Sequence, residues 1–419
     1  VRPLSLTIWS LTGRLASLIL PFWLAHRTRR GREIAARLPE RRGIADTPRP
    51  PGCLLWLHAA SVGETASILP VLAALAEQSP QTTVLVTTGS VTSARLLAQR
   101  EPRLGGAVLH QFVPLDVPCW VARFLDHWRP DAGAFVESEL WPNLLMACQA
   151  RAIPLMLLNA RMSAPSLARW SRAPATAQHL LSAFAQVQAR SAEDAARLRA
   201  LGARSVTAPG DLKFAAAPLP FDAEEAAAII PIARPIWLAS SVHPEEAETI
   251  LTAHRRLAAS HPDLLTIIAP RHPDKAARFC GGEIVTRRSA GQNPPKNAGI
   301  WLIDTLGDLG LCYTLAPIVL IGGSLFAHGG QNVLEPARFG CAIAVGPYTD
   351  NFAVACTALE QVGALTRVSD AMELANWVGA MLADPASRAR QGEAARAVAA
   401  AWLDLPAQSA ATFLSLMKR

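Results

Sequence analysis

The feature that most constrains this chain is a rhythm. Short unbroken apolar runs alternate with amphipathic stretches of helical spacing, the pattern lapses once, and then it starts again. Cys53–Ala60 (CLLWLHAA) is continuously apolar, as expected of a strand buried on both faces, and Val62–Glu77 behind it has helical spacing. Further strands are expected at Thr83–Thr88, Ala107–Val113, Ala132–Val136, Pro154–Asn159, Ala185–Arg190 and Val206–Pro209, with helices at Val91–Gln99, Pro118–Trp128 and Trp141–Gln149. A Pro- and Ala-rich stretch from Ala215 to Pro235 breaks the alternation. Strands then recur at Ile236–Ser240, Leu265–Ala269, Ile284–Thr286, Ile300–Ile303, Ile318–Ile321 and Ala342–Val345, with helices at Glu245–Ala258, Ala371–Ala383 and Ala386–Trp402. Repeated βα units imply parallel sheets covered on both faces. The expectation is an α/β chain of two doubly wound domains, residues 46–216 and 217–419, with a cleft between them. In such sheets ligands bind off the carboxyl ends of the strands, so the loops after each apolar run are where chemistry is sought.

Ahead of the first strand the sequence changes character. Leu4–Ala25 (LSLTIWSLTGRLASLILPFWLA) has about the 20 residues a spanning helix needs, but Gly13, Arg14 and Pro21 interrupt it. Trp9, Phe22 and Trp23 favour the interface, and the flank His26–Arg32 (HRTRRGR) is strongly basic, which favours a cytoplasmic position for everything after it. A signal peptide has the reverse charge order. Residues 1–45 are therefore expected to be a membrane anchor, spanning or lying in the interface, with its basic flank. The competing reading is an amphipathic helix buried in the first domain.

Hydrophobic residues make up 51% of the chain and charged residues 17%, which excludes disorder. The formal charge of +7 suits nucleic acid, an anionic membrane or a phosphorylated substrate. Aromatics are only 6%, too few for base-stacking platforms, and the basic residues are scattered. Membrane and phosphosubstrate are therefore placed above nucleic acid. Seven dispersed Cys with no CxxC read as reduced thiols, and no Cys/His spacing fits zinc, so no metal is expected.

Several post-strand loops hold reactive side chains. In His58-Ala-Ala-Ser61-Val-Gly63-Glu64, Ser61 and Glu64 fit a capping box, yet Glu64 also stands in the loop after the first strand. Phe135–Asn143 (FVESELWPN) carries Glu137 and Glu139 two apart, either solvated or in use. Lys213, in Gly210–Phe214 (GDLKF), is a surface lysine or a partner for an anionic ligand. Ser241 and His243 follow one second-domain strand, and Arg271 and His272 follow another, where an Arg fork suits phosphate. Gly322–Pro336 (GGSLFAHGGQNVLEP) runs from a strand through a Gly-rich loop to a helix start, a setting for anions. It matches neither a dinucleotide nor a P-loop fingerprint, and Asn332 and Glu335 again resemble a cap.

As an ordered set, HAASVGE (58–64), FVPLD (112–116), RFLDHWRPD (123–131), FVESELWPNL (135–144), NARMS (159–163), GDLKF, SSVH (240–243), APRHP (269–273), the Gly-rich segment and VGPYTDNF (345–352) resemble the 3-deoxy-D-manno-octulosonic acid (Kdo) transferase family, as does ERRG (40–43) behind the apolar N-terminus. The resemblance implies a GT-B fold: two Rossmann-like domains facing across a cleft, acceptor on the first and CMP-Kdo on the second. It implies inverting, metal-free and cofactor-free transfer of Kdo to a phosphorylated, acylated glucosamine disaccharide, the lipid A precursor, at the cytoplasmic face of the bacterial inner membrane. By the same resemblance Glu64 is the general base, and Glu137 and Lys213 support the transition state. Ser241, Arg271, His272, Leu306, Gly307, Asp308, Gly330, Asn332, Val333, Leu334 and Glu335 hold the donor, with Glu335 on the ribose. The alternatives are another nucleotide-sugar enzyme of the same fold and a non-catalytic membrane or nucleic-acid binder. Nucleotide choice separates the first, and the effect of Glu64→Gln the second.

Overall fold

The computed structural model describes residues 2–100, 107–215, 218–229 and 234–418. The chain divides into two compact units. Unit 1 comprises Val1–Ala216 with Trp402–Arg419, and unit 2 comprises Ala217–Ala401. The junction at 216–217 lies outside the described residues. The sequence assigns 217–419 to the second domain as one block. The structure corrects this, because the segment from Trp402 onward belongs to unit 1.

Unit 1 holds seven strands: β1 (Leu54–Ala59), β2 (Thr83–Thr88), β3 (Val108–Phe112), β4 (Ala132–Val136), β5 (Leu155–Ala160), β6 (Phe184–Ala189) and β7 (Val206–Thr207). They form one sheet in the order β3-β2-β1-β4-β5-β6-β7, every pairing parallel. β1 shows why the run had to be unbroken. Leu54 and Trp56 enter the core on one face with Phe124 and Phe135, while Leu55 and Leu57 enter the other with Ile68, Val71 and Leu72. Side chains alternate across a strand, so a sheet covered on both faces needs apolar residues at every step. Among the residues of that second face are Leu405, Ala410 and Phe413 of the helix Leu405–Ser415.

The predicted single anchor helix is instead a bent pair, Leu4–Ala16 and Leu20–Arg29, at 63°. Pro21 lies in the first turn of the second helix, where its missing N–H costs nothing but where it cannot continue the first. Among the described residues no single helix is long and apolar enough to cross a membrane. The first helix is docked on unit 1: Leu6 is buried in the core, Trp9 Nε1 donates to Asp116 at 2.8 Å, and Ser10 Oγ donates to Asn143 at 2.6 Å. The rest of the pair keeps Leu4, Ile8, Leu15, Leu18, Ile19 and Phe22 exposed.

Unit 2 repeats the plan with β8 (Ile236–Val242), β9 (Leu265–Pro270), β10 (Val285–Arg287), β11 (Gly299–Leu302), β12 (Ile318–Ile321), β13 (Ala342–Val345) and β14 (Leu365–Arg367). The order is β10-β11-β9-β8-β12-β13-β14, again all parallel. The stretch between the two rhythms contains a helix of its own, Ala223–Ile229, whose Glu225 pairs with Arg288 of unit 2.

Candidate active site

In each sheet the chain winds outward in both directions from one central strand, which leaves a crevice at the carboxyl ends where the direction reverses. In unit 1 that point lies between β1 and β4, and the loops carrying Glu64 and Glu137 leave these two strands.

Glu64 is buried in the first turn of the helix Val62–Gln78. The capping box read from its spacing is formed in part. Ser61 Oγ accepts from Glu64 N at 3.3 Å, while the Glu64 carboxylate accepts from Ser61 Oγ at 2.7 Å and from Ala60 N at 2.8 Å. Its partners are thus neutral. Burial raises its pKa above the ordinary carboxylate value, the two hydrogen bonds work against that rise, and the charges of Glu139 and Glu137 add to it.

Glu137 sits directly after β4 in left-handed backbone, φ 59°, a conformation side-chain-bearing residues adopt at a cost and that clusters at functional sites. Lys213 Nζ donates to its Oε1 at 2.8 Å. Lys213 owes its place to a pair the sequence did not single out: Asn159, at φ 52°, donates to Asp211 Oδ1 and accepts from Leu212 N, both at 3.0 Å. Asp211 in turn accepts from Lys213 N at 3.0 Å. Glu139 accepts from the indole of Trp141 and lies 3.8 Å from His58 Nε2. The structure therefore gathers Glu64, Glu137 and Lys213 at one end of one sheet.

In unit 2 the reversal lies between β8 and β12. Ser241, φ 54°, sits at an irregularity in the β8–β9 pairing. The adjoining Gly322 approaches so closely that a Cβ there would lie 2.6 Å from Ser241 O. The Gly-rich loop behind it is shaped by the buried Glu246, whose carboxylate accepts from Gly323 N at 2.8 Å, Ser324 N at 3.2 Å, Leu325 N at 3.1 Å and His243 N at 2.8 Å. Glu246 went unremarked in the sequence because its importance comes from amides 77 to 79 residues away. The helix after the loop, Leu334–Phe339, is short. Gly330 turns at φ 76°, Asn332 Oδ1 accepts from Leu334 N at 3.0 Å, and Val333 and Leu334 are buried beneath the loop.

Glu335 is reached by Asn332 Nδ2 at 3.2 Å and by the Tyr313 hydroxyl at 3.5 Å, and burial raises its pKa. Its side-chain contacts are thus with Asn332 Nδ2 and the Tyr313 hydroxyl. Arg271 and His272 are exposed after β9, and Leu306 and Gly307 are exposed after β11. Asp308 is already paired, with Arg288 Nη2 at 3.1 Å. His243 stacks on His328, and with Glu245 they bring three ligand-type atoms within 4.8 Å of one another. Burial and the neighbouring His328, His272 and Arg271 push the His243 pKa down. Glu245, 3.6 Å from His328, works against that fall.

The family model for 3-deoxy-D-manno-octulosonic-acid transferase (kdotransferase) matches residues 36–216. A protein of Arabidopsis thaliana described as "Probable 3-deoxy-D-manno-octulosonic acid transferase, mitochondrial" is 38% identical over 85% of this chain and 83% of its own length. The 3-deoxy-D-manno-octulosonic acid transferase of Bordetella pertussis is 35% identical over 94% of this chain and 95% of its own. The chain belongs to the Kdo transferase family. It is a glycosyltransferase by that membership. Solved structures agree on the fold alone: a glycosyltransferase from Rickettsia africae ESF-5 matches 88% of this Kdo transferase and 100% of its own chain at TM-score 0.56 and 13% identity. UDP-GlcNAc 2-epimerase from Neisseria meningitidis matches 87% and 100%, also at TM-score 0.56 and 13% identity. The architecture is thus an α/β, GT-B-like pair of parallel sheets.

Proposed function

We propose that this Kdo transferase moves Kdo from CMP-Kdo to a hydroxyl of a phosphorylated, acylated glucosamine disaccharide, with inversion and with Glu64 as the general base. The observation that carries the reading is the state of Glu64: a buried carboxylate at the reversal point of its sheet, held by neutral donors and with a raised affinity for protons. A base must be ionised to act and basic enough to take a proton as the transition state forms.

In the proposed step the acceptor oxygen attacks the anomeric carbon of Kdo while its proton passes to Glu64. The new C–O bond forms as the bond to the phosphate oxygen breaks on the opposite face, and CMP departs with the electron pair. Charge developing on the sugar and on the leaving phosphate is met by fixed groups. Lys213, steered by Glu137, serves the anionic side. Arg271 and the amides of the Gly322–Gly330 loop serve the phosphate, and Glu335 serves the ribose hydroxyls. These groups neutralise the charge without a metal or a cofactor.

The exposed apolar side chains of the bent helix pair and the basic segment His26–Arg32 support docking at an anionic inner-leaflet surface, where a lipid acceptor resides. The test is turnover of CMP-Kdo with the lipid A precursor, read as mass added to the lipid. Addition of Kdo, reduced about 10²- to 10⁴-fold in a folded Glu64→Gln variant, is the expected result. Equal turnover in that variant, or transfer from UDP-sugars in place of CMP-Kdo, overturns the reading.

A further inference from the structure

Three carboxylates crowd the end of β1 and β4, and they are not equivalent. Glu137 has Lys213 as its cation at 2.8 Å. Glu139 has the His58 imidazole facing it, with Nε2 3.8 Å from Oε2, and the indole N–H of Trp141 besides. Glu64 has Ser61 and Ala60, both neutral. His58 stands on β1 in register with Thr87 of β2 and Phe135 of β4, so it lies under the loops that hold all three acids.

His58 is fully buried, and its Nε2 has no partner at ordinary hydrogen-bond distance. Its other nitrogen decides where the ring proton sits. Trp56 Nε1 donates to Thr87 Oγ1 at 2.9 Å, which leaves the hydroxyl proton free to go to His58 Nδ1, also at 2.9 Å. The neutral ring then carries its proton on Nε2, aimed at Glu139. The Nδ1 contact with Thr87 O, at 3.2 Å, is the longer of the two. The ring thereby sets a proton-bearing Nε2 before Glu139.

We propose that His58 is a positioning residue of the transfer: through Nε2 it keeps Glu139 as a fixed negative charge in the field of Glu64, and that charge holds Glu64 ready to take the acceptor proton. The inference rests on Glu64 being the base. Burial alone would make Glu139 reluctant to ionise, and the His58 and Trp141 contacts outweigh it, so its pKa lies below the ordinary value. The groups that bear on the pair are Glu64, Glu137 with its partner Lys213, Trp141 and Thr87.

The experiment is the pH dependence of kcat/KM on the full chain with CMP-Kdo and the lipid acceptor. The acidic limb reports protonation of the base, and ionisations of the substrates are common to every variant. Glu139→Gln keeps shape and polarity but removes the charge. The limb is expected to move about one pH unit lower, the plateau to fall several-fold, and KM for CMP-Kdo to stay near wild type. His58→Gln keeps a donor toward Glu139 and is expected to leave the limb in place, whereas His58→Leu is expected to shift it as Glu139→Gln does. If His58→Leu does not fold, Glu139→Gln still decides. An unmoved limb in Glu139→Gln, with Glu64→Gln inactive, overturns this proposal and spares the base. A limb that moves with His58→Gln as far as with His58→Leu also overturns it. Full activity in Glu64→Gln sinks the reading beneath it instead.

Discussion

A buried carboxylate with a raised pKa is less stable ionised in the fold than in the unfolded chain, so the role proposed for Glu64 has a thermodynamic cost. The sign follows from linkage. The group binds its proton more tightly when folded, so its contribution favours the fold at low pH and is lost as pH rises through the raised value. Glu64→Gln is therefore expected to melt higher than wild type at neutral pH and to lose that advantage in acid. Parallel melts at two pH values check this, and an advantage that persists in acid contradicts it. Glu246 bears on stability through its partners. Its carboxylate serves four backbone amides, and Glu246→Ala leaves them unpaired in a buried loop. A destabilisation of about 3 kcal/mol with a raised KM for CMP-Kdo is expected, measurable by denaturant titration and steady-state kinetics.

At the scale of elements, the parallel strands were legible because strands buried on both faces must be written as continuous apolar runs. β2, β4, β12 and β13 fall where the runs predicted them. β14, Leu365–Arg367, was not read: it is short, lies at a sheet edge and carries Thr and Arg. The helices Ala164–Trp170, Pro174–Leu181 and Ala192–Ala200 are too short for periodicity to register. The placement of the candidate residues was legible to the same degree. Glu64, Glu137 and Lys213 stand in loops after strands or at the end of the first rhythm, where sequence directs attention. The significance of Asn159, Glu246 and His58 lies in contacts across strands, which no spacing encodes. Backbone approach is another such property. At Gly322 a Cβ would lie 2.4 Å from Val242 Cα, so Gly322→Ala must push β8 and β12 apart at their reversal point. A loss of stability larger than the roughly 1 kcal/mol typical of point changes is expected from its melt, and a neutral result would show the strands can part freely.

For the molecule as a whole, the return of the chain from unit 2 to unit 1 matters most. The helix Leu405–Ser415 lies along Val62–Gln78, the helix that begins with Glu64, and supplies Leu405, Ala410 and Phe413 to the core on that face. Trp402 approaches Gly210 so closely that a Cβ there would lie 2.6 Å from its Nε1. Truncation after Ala401 removes these side chains together. It is expected to expose the apolar side of Val62–Gln78, lower the melting temperature of unit 1 and abolish transfer, while unit 2 keeps its sheet. Hydrogen exchange resolved along the chain checks the asymmetry: protection lost in Val62–Gln78 and retained in β12 and β13.

The same return has a consequence for how the enzyme is born. A ribosome delivers residues in order, so the first sheet and the loop bearing Glu64 emerge long before the helix that braces them. All of unit 2 must be translated in between. Throughout that interval the apolar face awaiting Leu405 and Phe413 is open to chaperones, and the nascent chain is expected to stay inactive in transfer until residues 405–415 have left the ribosome.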